Sequence, residues 1–580
     1  MASGSTTAGG AAKTQHRRWP VFRSFESYRR AYIVPDLVAG VTLAAIAIPA
    51  QMATARLGGL APQVGFFAFI AATLAFFLFG SSRQVSVGAD STIAPIFAGA
   101  LAMLAASGSP HYGALAAALG LMVGVAVVGA GLFRMGWIGN LLSIPVTTGF
   151  MAGIAAHIIV SQMPTALGVT VHSSAVLARV GELIGQASHA NLASMAISGG
   201  VLALIAVTHR LSPRIPGPLL GVGLAMAAAA ALHLPAHGVA LLGAVPGGLP
   251  GFSLPALGAQ DCLHILPLAL LVALLVMVQT SATARSVPSP EGEPDINGDF
   301  VGVGAGNLLA GLLGAFPVNA SPPVTDIVFE SGGRSQLAGL TAVAVMVGLL
   351  VLGTGLLSLI PQAALSGVLI FVALRIVDVK RIRAVIAASL PEALLIAATA
   401  AAIIVLPIEI GVAVGVGLSL MQGLWSGARM RVRPMHNIPG TTVWWPNKAA
   451  GGAGQGMPGL VVVSFQAPLT FLNAEVFQRE MLAAIAPGDG AVTLAVLEAA
   501  GVVDIDFTAA EAFKAVVRAC QGAGVAFAVA RLESVTAQAA FERLGLTELI
   551  GEDHIFPSVW EAVRAVTGAA APPSPPPPSS

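Results

Sequence analysis

The sequence predicts an α-helical polytopic membrane protein with a small α/β domain at its C-terminal end, and three observations carry that reading. Of 580 residues, 56% are hydrophobic and only 9% are charged, too few Lys, Glu and Asp to cover a soluble surface of that size. Apolar runs of about 20 residues, the length that crosses a bilayer, recur between Asp36 and Leu424. Two of these runs are broken by residues that an ordinary span excludes: Val85 to Pro95 (VSVGADSTIAP) and Phe316 to Gln336 (FPVNASPPVTDIVFESGGRSQ). Lipid offers no partner for a free backbone N–H, so broken helix at membrane depth is expected only where it is buried in protein or lines a wet cavity. Two interrupted segments at matching places in two halves of a chain point to half-helices whose N-termini face a central binding site.

In chain order, Met1 to Gly10 reads as a disordered Gly/Ser/Thr tail within a polar N-terminal segment, residues 1–30. That segment has no apolar core beside a cleavage site, which argues against a removed signal peptide. Spans are expected at Asp36–Ala55, Pro62–Gly80, a half-span from Ser91, Ala114–Phe133, Val146–Val160, Leu192–Thr208 and Pro218–Leu234. The polar interlude Pro164 to Asn191 contains an amphipathic stretch, Val176 to Ile184, suited to the outer membrane surface. The second half runs through Leu263–Thr283, Val301–Ala315, a half-span from Pro322, Leu337–Ile360, Gly367–Val377, Ala393–Val405 and Gly411–Leu424. That makes about fourteen segments, about seven in each half, with a half-helix third in each set.

The charges test the count independently. With Arg17, Arg18, Arg23, Arg29 and Arg30 ahead of the first span, the chain starts inside and every even-numbered segment ends inside. That is where Arg83, Arg134, Arg210, Arg214, Arg285, Arg334, Lys380, Arg381, Arg383, Arg429, Arg431 and Arg433 fall, with Arg56 and Arg179 outside. Both termini are therefore expected in the cytoplasm, and a bacterial inner membrane is the expected location.

Beyond Pro434 the texture changes. A linker, 434–457, Gly-rich from Ala449 to Gly456, leads to strands at LVVVSFQAPL, VTLAVLEAAG and VAFAVARL. These alternate with helices at Ala474–Ile485, Thr508–Gly522, Val535–Leu544 and Val559–Val566. A small α/β domain over residues 458–568 is expected, followed by a polyproline-prone tail, 569–580. A net charge of +1 suggests no nucleic-acid partner. Cys262 and Cys520, far apart, suggest no disulfide framework.

Five motifs then carry a resemblance. DLVAG at Asp36, IPAQMATARLGGL at Ile48, GSSRQVSVGADS at Gly80, DINGDFVGVGAGN at Asp295 and SPPVTDIVFESGGRSQLAGL at Ser321 together resemble the sulfate permease (SulP) family of anion transporters. The segment LEAAGVVDIDFTAAEAF at Leu497 resembles the STAS domain that those transporters carry. The resemblance implies a seven-plus-seven inverted repeat as in the uracil permease fold over residues 31–433, with core and gate subdomains, and a homodimer. It also implies a small anion between two half-helix N-termini, carried by an elevator-like motion. Opposed helix N-termini suit an anion physically, because they present free N–H groups and positive dipole ends.

Carried over residue by residue, Ser321 matches a serine that opens the tenth helix and contacts anion, and Thr325 matches another polar position there. Val324 stands where the family commonly has Arg. The first helix reads Pro49-Ala50 with Gln51 displaced by one residue, and Thr54 replaces an aromatic. Gln279 sits where many relatives keep a Glu tied to cation coupling, with Thr283 one turn later. Asp90, with Ser91 beside it, opens the third half-helix. A charge at membrane depth costs several kcal/mol, on the order of 3 kcal/mol on insertion scales, and marks function, so Asp90 reads as a proton- or cation-coupling group. Its other reading is a cap on its own half-helix. Gln279 reads as a substrate hydrogen-bonder or an interhelical clasp, Ser321 as a ligand or an N-cap, and Gln51 as a packing residue or a ligand.

Other candidates have simpler readings. Glu291, Glu293, Asp295 and Asp299 form an acidic cytoplasmic loop, and His157 is a packed histidine. His233, His237 and His264 lack metal-ligand spacing, so no metal and no cofactor is expected. Gly302, Gly304, Gly306 and Gly311 are small residues for close helix packing. Thr508 lies near the serine phosphorylated in soluble STAS relatives, but Phe507 breaks the Asp-Ser-Ser pattern and a cap by Asp506 is the blander reading. No activated nucleophile stands beside a base, so no enzyme is expected. The function expected is secondary active transport of a small anion coupled to a proton or cation. The alternatives are a carrier of a neutral hydrogen-bonding solute such as a nucleobase, and a non-transporting sensor with a cytosolic ligand on its STAS domain.

Overall fold

The computed structural model describes residues 21–25, 28–140, 143–171, 173, 175–212, 215–243, 247–287, 294–439, 441–446, 457–486 and 492–568. The expected tail at Met1 to Gly10, Arg17, Arg18, Arg214, Glu291, Glu293, the Gly-rich linker and the polyproline tail lie outside these residues. The chain divides into two compact units, Met1–Ser419 and Leu420–Ser580.

The first unit opens with α1 (Ile33–Leu57), α2 (Pro62–Phe79), β1 (Val87–Gly88), α3 (Ala94–Ala102), α4 (Pro110–Leu132), α5 (Ile144–Leu167), α6 (Val176–Gly185), α7 (Leu192–Leu211) and α8 (Gly217–Ala231). It continues with α9 (Ala259–Ser286), α10 (Ile296–Leu312), β2 (Asn319–Ala320), α11 (Pro322–Glu330), α12 (Leu337–Leu352), α13 (Thr354–Leu357), α14 (Gln362–Ile376), α15 (Val379–Ala388), α16 (Leu390–Val405) and the part up to Ser419 of α17 (Ile408–Ala428). Among the described residues, seven helices are long and apolar enough to cross a membrane, and four shorter apolar ones accompany them. Leaving aside the amphipathic α6 and the short α13 and α15, these helices and α3, α10 and α11 occupy the segments expected from the sequence.

Proline at the first or second helical position starts many of these helices, where its missing N–H costs nothing. The expected continuous span Leu337–Ile360 is in fact broken. Gly353 ends α12, and α13 follows as a separate turn. The helix α15 went unforeseen, because its charges made the stretch read as a polar connection.

Packing repeats about a pseudo-twofold relation between the halves. Helix α1 packs on α12 as α9 packs on α4, α2 packs on α12 as α10 packs on α4, and α5 packs on α16 as α14 packs on α7. The pairs α2 with α10 and α5 with α14 lie on the relation itself. The two interrupted stretches meet at its centre. Strands β1 and β2 pair antiparallel, Val87 opposite Ala320 and Gly88 opposite Asn319, so the two nine-residue helices that follow them run in from opposite directions. The pairing gives these extended segments the backbone partners that lipid cannot supply.

Close approach of α4 and α10 depends on glycine. A Cβ on Gly304 would lie 2.6 Å from the Val128 backbone N, and one on Gly311 2.6 Å from the Ala117 carbonyl O. Gly304→Leu is therefore expected to separate α10 from α4 and to lower the yield of folded, monodisperse protein in size-exclusion chromatography. Gly129→Leu, with nothing within 4 Å, should be neutral by comparison.

In the second unit, β3 (Arg433–Asn437), β4 (Trp444–Pro446), β5 (Leu460–Ser464), β6 (Leu494–Glu498), β7 (Ala526–Ala530) and β8 (Ile555–Phe556) form one sheet of order β4-β3-β5-β6-β7-β8. Strands β5 to β8 are parallel, while β3 and β4 add an antiparallel edge that the sequence pattern did not announce. Helices α18 (Ala474–Ile485), α19 (Phe507–Gly522), α20 (Val535–Arg543) and α21 (Leu546–Ile550) accompany it, and α22 (Val559–Thr567) packs on β6, β7 and β8. Phe477, Phe513, Phe527 and Phe541 form a stacked and edge-on cluster in its core.

Candidate functional site

The site is built where β1 and β2 meet. Each strand hands the chain to a half-helix, and the ladder fixes the register of everything around it. Asp90 lies in the turn before α3 and is buried. Its Oδ1 accepts from the Thr92 backbone N–H at 2.7 Å and from the Thr92 hydroxyl. Its carbonyl oxygen accepts from the N–H groups of Ile93 and Ala94. Asp90 thus ties together the turn that leads into α3, whose own N-cap, Ile93, makes no side-chain cap bond, and its second carboxylate oxygen points elsewhere. That oxygen, Oδ2, accepts from Gln279 Nε2 on α9 at 3.4 Å.

Gln279 is the bridge between the two half-sites. Its Oε1 accepts from Asn319 Nδ2 on β2 at 2.6 Å and lies 3.2 Å from the Thr92 hydroxyl. Asn319 is fully buried, and its own Oδ1 accepts the Ala320 N–H at 2.9 Å. Asp90, Gln279 and Asn319 therefore link the heads of α3 and α11 through side chains alone. Among the described residues, no Lys or Arg hydrogen-bonds into this chain of groups.

The other expected residues sort themselves by what holds them. Ser321 is half-buried at the head of α11 and makes no side-chain cap bond. Pro322 and Pro323 follow it, so the first two helical positions of α11 have no N–H to offer an anion. Ser91 is buried beside Asp90, and Thr54 is buried on α1. Thr325 is fully buried, and its hydroxyl accepts from the Ser86 N–H at 3.0 Å, across to the other broken segment. Thr283 donates to the Gln279 carbonyl at 2.7 Å, one turn back on α9.

Gln51 clasps the Ala89 backbone on both sides. It accepts from its N–H at 2.8 Å and donates to its C=O at 3.2 Å, so its amide holds the chain just before Asp90. Thr92 and Asn319 were missed in the sequence, because a Thr inside a polar run and an Asn two residues ahead of a serine carry no signal of their own.

Two buried carboxylates brace the approach to this centre. Asp299, expected in a solvated acidic loop, is fully buried on α10, and it accepts from the N–H groups of Ser81 and Ser82 at 3.0 and 2.8 Å and from both hydroxyls. Asp36 on α1 likewise accepts from the Arg334 and Ser335 N–H groups and the Ser335 hydroxyl. Gln336 ties the two loops together by donating to the carbonyls of Ser82 and Val85.

Comparison with known proteins decides the family. A model described as the sulfate permease family matches residues 33–399, and one described as the STAS domain matches 455–562. The chain belongs to the sulfate permease family. It is 35% identical to a probable sulfate transporter of Mycobacterium tuberculosis over 93% of this chain and 96% of that one. It is 28% identical to probable sulfate transporter 4.2 of Arabidopsis thaliana over 94% and 83%. The fold matches murine solute carrier 26 family member A9, an anion transporter, with a TM-score of 0.85 at 20% identity, covering 93% of this chain and 92% of that one. It also matches the transmembrane domain of a cyanobacterial bicarbonate transporter, with a TM-score of 0.59 at 22% identity, covering 68% and 98%.

In the STAS domain of this family member, Thr508 is exposed near the start of α19, whose N-cap is Asp506, accepting from the Ala509 N–H at 2.8 Å. Burial pushes the Cys520 thiol up to about 11, so it stays protonated and unreactive. Glu498 is buried at the end of β6, 3.3 Å from Arg531, which sits at φ 59° in the left-handed region. Burial raises the Glu498 carboxyl above its usual value more than Arg531 lowers it. The folded state then binds the proton more tightly than the unfolded one, so this group's contribution to stability falls as pH rises from the usual carboxylate range toward neutrality. The thermal midpoint of the STAS transition should therefore rise on mild acidification, and Glu498→Gln should flatten that dependence.

Proposed function

We propose that the chain is a secondary active transporter of a small anion of the sulfate, bicarbonate or dicarboxylate class, coupled to a proton through Asp90. In this reading the anion lies between the heads of α3 and α11 against Ser321 and Ser91, with Gln279 and Thr54 at its margin. The helices α1–α4 and α9–α12 form a core that moves like an elevator against a gate that includes α5, α7, α8, α14 and α16.

The observation that carries the proposal is a buried carboxylate, bridged by one glutamine to the head of the opposing half-helix, in a group of side chains joined by no Lys or Arg hydrogen bond. An ionised Asp90 would repel an anion arriving beside it, whereas a protonated one leaves the helix dipoles unopposed. Proton and anion are then bound together or not at all. The relatives' names support the anion, and a transporter in place of an enzyme. Gln51, Thr325 and Thr283 take supporting positions in this scheme, holding the backbone that presents the site. We further place the protein in a bacterial inner membrane as a homodimer with both termini and the STAS domain in the cytoplasm. There Thr508 and the exposed start of α19 are available to a cytosolic ligand.

A second reading has its own support. Two prolines at the head of α11 and a carboxylate bonded by the Gln279 amide suit a neutral hydrogen-bonding solute such as a nucleobase. Proteoliposome uptake of sulfate, bicarbonate, succinate and uracil, with and without an inward proton gradient, separates the two. Gradient-stimulated uptake of one of the anions is expected. Uptake of uracil alone would replace the anion with the neutral solute, and absence of all flux would sink the transport proposal.

A further inference from the structure

An amide can turn either its oxygen or its NH2 toward a carboxyl, and the choice at Gln279 is made by Asn319. The Asn319 oxygen is occupied by the Ala320 N–H, so only its NH2 is left to face α9, where it donates to Gln279 Oε1 at 2.6 Å. With its oxygen held, Gln279 has only its NH2 to offer Asp90. Asn319 cannot swing aside. It is fully buried and sits in the ladder opposite Gly88, and the residue before it is clamped at its N–H and its C=O by the Asn307 amide, each at 2.9 Å.

We propose that Asn319 is a positioning residue for Asp90, acting through Gln279 to set how readily the carboxyl at the head of α3 takes up a proton. This rests on the reading of Asp90 as the coupling group. The groups facing Asp90 are Thr92 from its own turn and Gln279 from α9, and among the described residues no second charged side chain bears on it. Donors on both carboxylate oxygens favour the ionised form. The Thr92 hydroxyl, which has one hydrogen, lies between Asp90 Oδ1 and Gln279 Oε1. It donates to Asp90 while that group is ionised, and turns to Gln279 once Asp90 carries a proton and can itself donate. Protonation at α3 is thereby felt at Asn319 and at the head of α11.

The test needs no transported substrate. In infrared difference spectra of the full-length protein in nanodiscs, titrated with pH, the protonated Asp90 carbonyl stretch is the band absent from Asp90→Asn. Asn319→Leu removes the anchoring donor and lets Gln279 present its oxygen to Asp90, which only a protonated carboxyl can use. The midpoint of the band is expected to rise by about one pH unit, about tenfold in proton affinity. Should Asn319→Leu not assemble, Asn319→Ala and Asn319→Ser, which differ by one hydroxyl donor, replace it, with the higher midpoint expected in the alanine variant. A wild-type band that titrates but does not move in Asn319→Leu, or equal midpoints in the alanine and serine variants, overturns this inference alone. No titrating band that depends on Asp90 overturns the coupling proposal and this inference together.

Discussion

Replacing Asp90 with Asn is expected to abolish proton-driven accumulation while leaving downhill flux. Asn mimics the protonated acid in shape and neutrality, so the anion still meets an uncharged site at the head of α3, but no proton is taken up or released in the cycle. In the proposed coupling of one proton per anion, each unit of inward pH gradient is worth about 1.4 kcal/mol, so the wild-type protein is expected to concentrate its substrate by up to about tenfold per unit. The variant should equilibrate its substrate and stop there. The checking measurement is the ratio of internal to external labelled anion in proteoliposomes at a fixed gradient, beside counterflow exchange at symmetric pH. Accumulation by Asp90→Asn at the wild-type ratio would remove Asp90 from the coupling step and leave it the role of capping its own turn.

Replacing Asp299 with Ala should give a large loss of stability in the transport unit. One carboxylate there satisfies two backbone N–H groups and two hydroxyls of Ser81 and Ser82, in full burial. Its removal strands these donors at a cost of about 1–3 kcal/mol for each one left without a partner, so a total of about 3 kcal/mol or more is expected even after the hydroxyls reorient. Asp299→Asn should recover only part of this, because its NH2 would face the donors that its oxygen cannot reach. Thermal unfolding in detergent reads the effect. A melting curve for Asp299→Ala superimposable on that of the wild type would refute the brace. Because Ser81 and Ser82 lead directly into β1, loss of transport is expected to accompany the loss of stability.

The two predictions draw on residues of different legibility. Asp90 stood out in the sequence, since a carboxylate within an interrupted span has few structural excuses. Asp299 did not, because it lies close to a run of acids after Arg285 and read as one more solvated charge. What separates them is burial against Ser81 and Ser82, more than two hundred positions earlier, which no local pattern encodes. Gln51 shows the same limit from the other side. Its place on α1 left a ligand role open, and only the fold shows its amide engaged by the Ala89 backbone.

By itself, the sequence determined most of the helical segments, the two broken ones among them and the α/β character of the C-terminal unit, though not α15 or the break between α12 and α13. These follow from signals a few residues wide: apolar runs of membrane length, prolines and polar residues that interrupt them, and the alternation of strand and helix periods. The tertiary structure alone decided that β1 and β2 pair, that Gln279 hydrogen-bonds both Asn319 and Asp90, and that two buried carboxylates brace the loops leading there. It also decided that β3 and β4 add an antiparallel edge to the STAS sheet. Each of these is a hydrogen bond or ladder between distant stretches. Which buried donor meets which acceptor is settled by how the helices pack, since a polar group denied water must take the partner that packing brings within about 3 Å.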